Sequence, residues 1–303
     1  MLRYNHRVEI EKQMREGAGE KMPYKAIVLD MDGTMLNEQN RVSDNLHQLL
    51  KELRKRGTYV FIATGRTPRE IRDVSPADLE VDGYVTSNGM AVFVGEELLV
   101  QHALLPNLVH DLVEEARKRE IYYEVHPNAG ARVSLEADRA YFDKQITDPK
   151  PETVEINEWL SRKNAMKEQI CWQSTLDAGS VAKIYFFSRD LAAIRKFRSD
   201  LEVRKQETAF ATFSSTEHNV EIMVANVSKA IGIKLLLERF SITNQEIVAV
   251  GDSENDLPMF QYAGHAVAMK NAAEHVKEHA DEVTTYSYRE DGLYHYLKNL
   301  FLV

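Results

Sequence analysis

The sequence predicts an α/β protein, a doubly wound parallel sheet interrupted by an inserted α+β segment, and three observations carry that prediction. Unbroken apolar runs at 26–29, 59–63 and 247–250 have the length of strands and the composition of strands buried on both faces. Between them apolar residues recur at helical spacing, so strand and helix alternate as a parallel sheet requires. The runs also deliver small or polar residues at their carboxyl ends, where open parallel sheets bind ligands: Asp30 and Asp32, then Thr64, then Gly251 and Asp252.

Residues 1–21 are charged and mixed, and read either as a short solvated helix or as residues upstream of a start at Met22; they carry no assigned chemistry. After strand 26–30, Ser43 is the N-cap candidate for a helix to about Arg56, with Leu46, Leu49, Leu50 and Leu53 on one stripe and Gly57 ending it. Strand 59–63 leads into Thr64-Gly65-Arg66, and Pro68 opens the next helix. A third strand at 81–86 runs into Ser87-Asn88-Gly89.

From about Phe93 to Val224 the pattern changes. A hairpin of 92–94 and 98–100 is followed by helix 106–119, strand 121–126, an irregular stretch, strand 181–187, helix 190–200 and strands at 209–213 and 220–224. That mixture assigns 93–224 to an α+β cap inserted into a core of 22–92 and 225–303. The core style resumes with helix 228–239, strand 247–250, the turn 251–256, helix 257–263, strand 266–269 and a helix from about 272.

With 303 residues, 44% of them hydrophobic and 28% charged, the chain suits a soluble globular protein of two domains or one large one. A net charge of −9 without a basic face argues against nucleic acid and anionic membrane as partners. No apolar run approaches the roughly 20 residues that cross a bilayer. Cys171 is the only cysteine, so no internal disulfide forms, a reducing cytoplasmic address is expected, and Cys171 itself reads as a packing residue.

The stretch from Ile27 to Thr34 carries the most chemistry, because an apolar strand delivers two carboxylates onto a Gly turn. On extended backbone positions i and i+2 project together, so Asp30 and Asp32 could act on one substrate and share one cation. Alone, such a pair is equally a strand-ending Asp with a solvated neighbour.

Downstream elements decide between these readings. DMDGT at 30–34, ATGR at 63–66, SNGM at 87–90, VSKA at 227–230, GDSEND at 251–256 and AMKNA at 268–272 follow one another at strand and helix ends. With these six, the chain from Met22 onward resembles the haloacid dehalogenase superfamily, in its Cof-type, sugar-phosphatase-like branch. The resemblance implies a Rossmann-like core with a cap and Mg2+-dependent hydrolysis of small phosphate monoesters, sugar phosphates or phosphorylated cofactors, through an aspartyl-phosphate. Asp30 would be the nucleophile and Asp32 the acid and base; Asp30, the Asp32 carbonyl and Asp252 would hold Mg2+. Thr64, Gly65, Ser87, Asn88, Lys229 and Asn255 would meet phosphate or substrate, and Asn255 and Asp256 would orient metal waters and the lysine.

A second acid suits esters whose leaving alkoxide needs a proton, which favours a phosphatase or, alternatively, a phosphomutase; a catalytically silent binding protein keeping the fold is the remaining alternative. Ala230 and Lys270 stand where the family usually has Gly, and Lys270 either reaches solvent or adds positive charge near the crevice. All residues given a role in phosphoryl transfer lie outside the cap, so the cap is expected to select substrate as a lid. Tyr123, His126 and Arg132, with Glu221, are its candidate contacts, although a lone His or Tyr is more often structural.

Overall fold

The computed structural model describes residues 24–302, so the expectations for residues 1–21 lie outside it. The chain divides into two compact units. One runs through Gly65, Glu70–Leu99 and from Ser228 onward; the other holds Arg66–Arg69 and Val100–Val227.

The first unit begins with β1 (Ala26–Leu29), β2 (Tyr59–Ala63), β3 (Gly83–Thr86), β4 (Ala91–Val94) and the start of β5 (Glu97–Gln101), which crosses the division. The chain then supplies β6 (Tyr122–Pro127), β7 (Arg132–Leu135), β8 (Ile170–Gln173), β9 (Val181–Phe187), β10 (Phe210–Phe213) and β11 (Asn219–Val224) to the second unit. It returns to the first with β12 (Ile247–Gly251), β13 (His265–Ala268) and β14 (Glu282–Val283).

The first unit's sheet has the order β14-β13-β12-β1-β2-β3-β4-β5 and is parallel from β14 to β3. Every residue of β1 is buried, because β1 lies between β12 and β2 and needs apolar side chains on both faces. The chain leaves β1 towards β2 and β3 on one side and comes back to β12 and β13 on the other, so the strand order reverses there. Parallel pairing puts the carboxyl ends of β1, β2, β3 and β12 on one edge of the sheet, at this switch point.

Helix Asp44–Lys55 shows why the flanking elements form. The Ser43 side chain accepts from the Leu46 amide, Asp44 lies in the positive first turn, and Arg54 and Lys55 lie in the last. Leu46, Leu49, Leu50 and Leu53 face the sheet, and burying each contributes about 2 kcal/mol, far more than any helix propensity. The closing helix Gly292–Leu302, which the sequence pattern did not single out, adds Leu293, Leu297 and Phe301 to the same core.

The second unit's sheet has the order β10-β11-β9-β6-β7-β8, antiparallel except between β7 and β8. Helices Pro106–Lys118 and Leu191–Arg204 share its core through Val109, Leu112, Ile194 and Phe197.

Three sequence expectations change here. The hairpin assigned to the cap belongs to the core sheet, because β4 continues the ladder of β3 through Tyr84↔Phe93, Val85↔Val92 and Thr86↔Ala91; the division falls at Leu99/Val100 and Val227/Ser228 rather than at 92/93 and 224/225. The stretch read as irregular contains β7, helices Arg139–Ile146 and Ile156–Asn164, and β8. These elements are short, and β7 meets its neighbour β6 only at Val125↔Val133 and finds its longer ladder far along the chain in β8, so local periodicity is too weak to announce them. Cys171 is exposed on β8 and does not pack in a core. Among the described residues no helix is long and apolar enough to cross a membrane.

Candidate functional site

The site is assembled from loops at the carboxyl edge of the first unit's sheet. After β1 the Asp30 amide still donates to the Val250 carbonyl (3.0 Å), which holds Asp30 beside β12. The chain then folds sharply: the Met31 carbonyl accepts from the amides of Met35 and Leu36, both at 2.9 Å. Gly33, at φ 73°, passes so close to Asp252 that a Cβ there would lie 2.1 Å from Asp252 Oδ2.

This turn corrects the extended-strand geometry expected for the two acids. Asp30 is buried and Asp32 exposed, because extended backbone ends at Leu29. The carboxylate oxygens that come within 4.8 Å of one another belong to Asp30, Asp252 and Asp256. Asp32 lies outside that cluster, yet its charge still raises the pKa values of Asp30 and Asp252.

Lys229 opens helix Lys229–Phe240, capped by Ser228, and its side chain is fully buried. Its ammonium donates to Asp30 Oδ1 at 2.5 Å and to Asp256 Oδ1 at 2.6 Å. Burial opposes the lysine's charge, but the carboxylates of Asp256 and Asp30 outweigh it and raise its pKa, so it stays an ammonium. Asp256 Oδ2 accepts the amides of Asp252 (2.9 Å) and Ser253 (3.0 Å), so both its oxygens are engaged.

Asp252 follows β12 and is held by two side chains. Thr34 donates to Oδ1 at 3.2 Å and Asn271 to Oδ2 at 3.1 Å. Burial first, and then Asp256, pushes its carboxyl up to about 7. Burial likewise keeps Asp30 well above the usual range, with Asp256 and Asp252 adding to it and Lys229 opposing. Crowded, desolvated carboxylates with only oxygen donors are the chemistry that fits a hard divalent cation.

Thr64, wholly buried after β2, donates its amide to the Val85 carbonyl, and its own carbonyl accepts from the Asn88 amide, both at 2.9 Å. Ser87, Asn88 and Gly89 follow with φ of 47°, 56° and 105°. A Cβ on Gly89 would lie 2.3 Å from the Ser228 carbonyl oxygen, so glycine permits this loop to meet the lysine helix. Asn255 donates to Asn88 Oδ1 at 3.0 Å, linking the loops after β3 and β12.

Asp30, Lys229, Asp252 and Asp256 are therefore directly interlinked, and Thr64, Gly65, Ser87, Asn88 and Asn255 form a second linked group on the same sheet edge. Lys270 is exposed, with its ammonium 3.9 Å from Glu290, which is the solvent-reaching alternative. Thr34 and Asn271 escaped individual notice, although both sit inside the DMDGT and AMKNA stretches.

In the second unit, Tyr123 is fully buried with its hydroxyl donating to Asp138 Oδ2 at 2.6 Å, so it is a core residue and not a substrate contact. His126 Nε2 lies 3.1 Å from Glu124 Oε2, and Arg132 donates to the same oxygen at 2.8 Å. Burial would push Glu124 up, but Arg162 and Arg132 outweigh it and hold Glu124 well below the usual carboxylate range. Arg132 thus first serves to neutralise a buried acid, with His126 in hydrogen-bond reach of the same carboxylate. Glu221 pairs with Lys183 at 3.3 Å.

Fold and site together define a doubly wound α/β protein with an acidic centre built on oxygen donors. The family model of haloacid dehalogenase-like hydrolases matches residues 27–297, and the chain belongs to that family. The 5-amino-6-(5-phospho-D-ribitylamino)uracil phosphatase YwtE of Bacillus subtilis is 27% identical, over 91% of this chain and 98% of that one. YitU of the same organism, named for the same activity, is 30% identical over 93% and 99%. A haloacid dehalogenase-like hydrolase from Bacteroides thetaiotaomicron superposes with a TM-score of 0.74 at 26% identity, covering 92% of this chain and all of that one. The chain is a phosphatase of the haloacid dehalogenase type.

Proposed function

We propose that this phosphatase hydrolyses small cytoplasmic phosphate monoesters through an aspartyl-phosphate on Asp30, with Mg2+ as cofactor. The observation that carries the reading is the buried 2.5 Å contact between the Lys229 ammonium and Asp30 Oδ1, which keeps a carboxylate nucleophile and an anion-binding cation side by side.

The roles follow from charge and reach. A carboxylate oxygen of Asp30 attacks phosphorus as the ester's P–O bond breaks, and Asp32 gives its proton to the departing alkoxide. Water then attacks the phosphoryl group while Asp32 takes up its proton, and the Asp30–phosphorus bond breaks to release phosphate. Asp32 is exposed, which suits a group that must exchange protons with a leaving group and with water. Thr64 and the Gly65 amide hold phosphoryl oxygens together with Lys229, and Ser87, Asn88 and Asn255 frame the loop beside them. Asp30, Asp252 and the Asp32 carbonyl would hold Mg2+, which when bound neutralises phosphoryl oxygens. Asp256 is saturated by Lys229 and two amides, and is left to fix the lysine.

The test is phosphate release across a panel of phosphorylated metabolites, with Mg2+ and with excess EDTA. The names of the relatives make phosphorylated sugar alcohols, ribityl phosphates among them, the first substrates to try. Mg2+-dependent release is expected. Full turnover in EDTA, or phosphoryl transfer within one substrate without free phosphate, would overturn the reading.

A pH signature accompanies the metal. The folded pKa of Asp252 lies above its ordinary 3.8, at about 7, so the folded chain holds an extra proton between those values and loses stability as pH rises through them. Glu124 and Glu246, whose folded pKa values lie below their ordinary 4.5, add stability with rising pH only until the unfolded acids have ionised, at about pH 5, and so do not oppose the trend above it. The melting temperature of metal-free protein is expected to fall from pH 5 to pH 8, and Mg2+ to raise it more at pH 8.

Substrate choice is assigned to the second unit. His126→Ala and the charge-keeping Arg132→Lys are expected to reorder substrates by selective losses in kcat/KM, with Mg2+ affinity unchanged. An unaltered ranking in both variants would remove these positions as specificity residues.

A further inference from the structure

The loop after β13 contributes a side chain that none of the catalytic steps uses. Asn271 makes three hydrogen bonds, each to a different segment of the first unit. Its Nδ2 donates to the Gly33 carbonyl at 2.9 Å and to Asp252 Oδ2 at 3.1 Å, and its Oδ1 accepts from the Tyr288 amide at 3.1 Å. The pattern fixes the amide's orientation, since only the oxygen can take the Tyr288 proton and only the nitrogen can serve two acceptors.

We propose that Asn271 is a positioning residue for the cation, acting through Asp252 and through the turn that carries Asp32; this rests on the metal-dependent reading above. Asp252 has its Oδ1 taken by Thr34 and its Oδ2 by Asn271, so the carboxylate plane is pinned from both sides while lone pairs on each oxygen stay available. The same amide holds the peptide of Gly33, the residue that follows Asp32, and Gly33 packs against the Asp252 carboxylate itself. A single neutral donor thus ties a side-chain ligand on one loop to the turn bearing the backbone ligand on another. Neutrality matters: Asp30, Asp32, Asp252 and Asp256 already crowd the site with negative charge, and a donor without charge orients Asp252 without competing for the cation. Tyr288 in turn anchors Asn271 from the far side, so the amide is itself oriented by backbone.

The test measures Mg2+ binding by calorimetry, independently of turnover, and then Mg2+ activation of phosphate release. Asn271→Ala is expected to weaken Mg2+ binding about tenfold, within the range usual for groups that orient metal ligands. Saturating Mg2+ should restore kcat, and substrate KM at saturating metal should stay unchanged. Asn271→Ser keeps a donor on a shorter arm and should lose less; it also supplies the readout if the alanine variant melts early. A Mg2+ dissociation constant within twofold of the parent in both variants, or a fall in kcat that added Mg2+ does not repair, would overturn the proposal. If the parent protein binds Mg2+ but releases no phosphate, the functional reading fails while the binding comparison still judges Asn271.

Discussion

Asp30→Asn is expected to lower phosphate release by about 10,000-fold or more and to abolish any phosphorylated intermediate, because an amide offers no carboxylate to attack phosphorus. The fold should survive the change. Asp30 is a buried carboxylate whose pKa is raised by burial and by neighbouring acids, so a neutral isostere relieves crowding even as it loses the charge that faces Lys229. The metal-free Asp30→Asn variant should therefore melt no earlier at pH 8 than the parent, while its Mg2+ affinity falls with the loss of a ligand. Asp32→Asn separates the second acid's role from the first. It should slow alkyl phosphates far more than nitrophenyl phosphate, since only a poor leaving group needs a proton. Activity retained by Asp30→Asn, or equal slowing of both ester types by Asp32→Asn, would refute these assignments.

The largest effect on stability is expected from Lys229→Met. This ammonium is fully buried and sits between two carboxylates, so its removal leaves Asp30 and Asp256 facing each other without a cation. Breaking a buried ion pair by deleting one partner costs about 3–5 kcal/mol, which in a chain of this size lowers the melting temperature on the order of 10 °C. The loss should be greater at pH 8 than at pH 5.5, because the stranded acids can take up protons at the lower pH. Adding Asp256→Asn should recover part of it. Thermal melts of the three proteins at both pH values check this, and a Lys229→Met variant as stable as the parent at pH 8 would show that the ammonium does not hold the two carboxylates together. Phosphate release should be lost in Lys229→Met even where the protein is folded, since the anion then meets no ammonium.

The core was legible because its cues are local and redundant. Buried parallel strands need unbroken apolar runs, so β1, β2 and β12 stand out without partners being known, and Ser43 with its four leucines announces a helix within one turn of its start. The candidate side chains sit at strand and helix ends in short fixed patterns, so Asp30, Thr64, Lys229 and Asp252 could be singled out in advance. The second unit was legible only in part. β9 is uniformly buried and reads as a strand, whereas β7 and β8 are four residues each and acquire their identity by pairing with each other. The hairpin of β4 and β5 was recognised as a hairpin but given to the wrong unit, since a turn reveals that two strands meet and not which sheet they extend.

What the sequence determined by itself was the alternation of strand and helix, the place of the candidate site at the carboxyl ends of the strands, and the residue types gathered there. These follow from periodicity and composition, which act over a few residues. What only the tertiary structure decided was which of those residues share space. Asp30 and Asp32 lie two apart, yet one is buried in the acidic cluster and the other exposed, because the turn begins directly after β1. Asp256, more than two hundred positions away, takes the place beside Asp30 because Lys229 bridges them. Tyr123 became a core residue through Asp138, and Asn271 acquired a role through Gly33, Asp252 and Tyr288. Burial and hydrogen-bond partners are properties of packing between distant segments, and no local pattern encodes them.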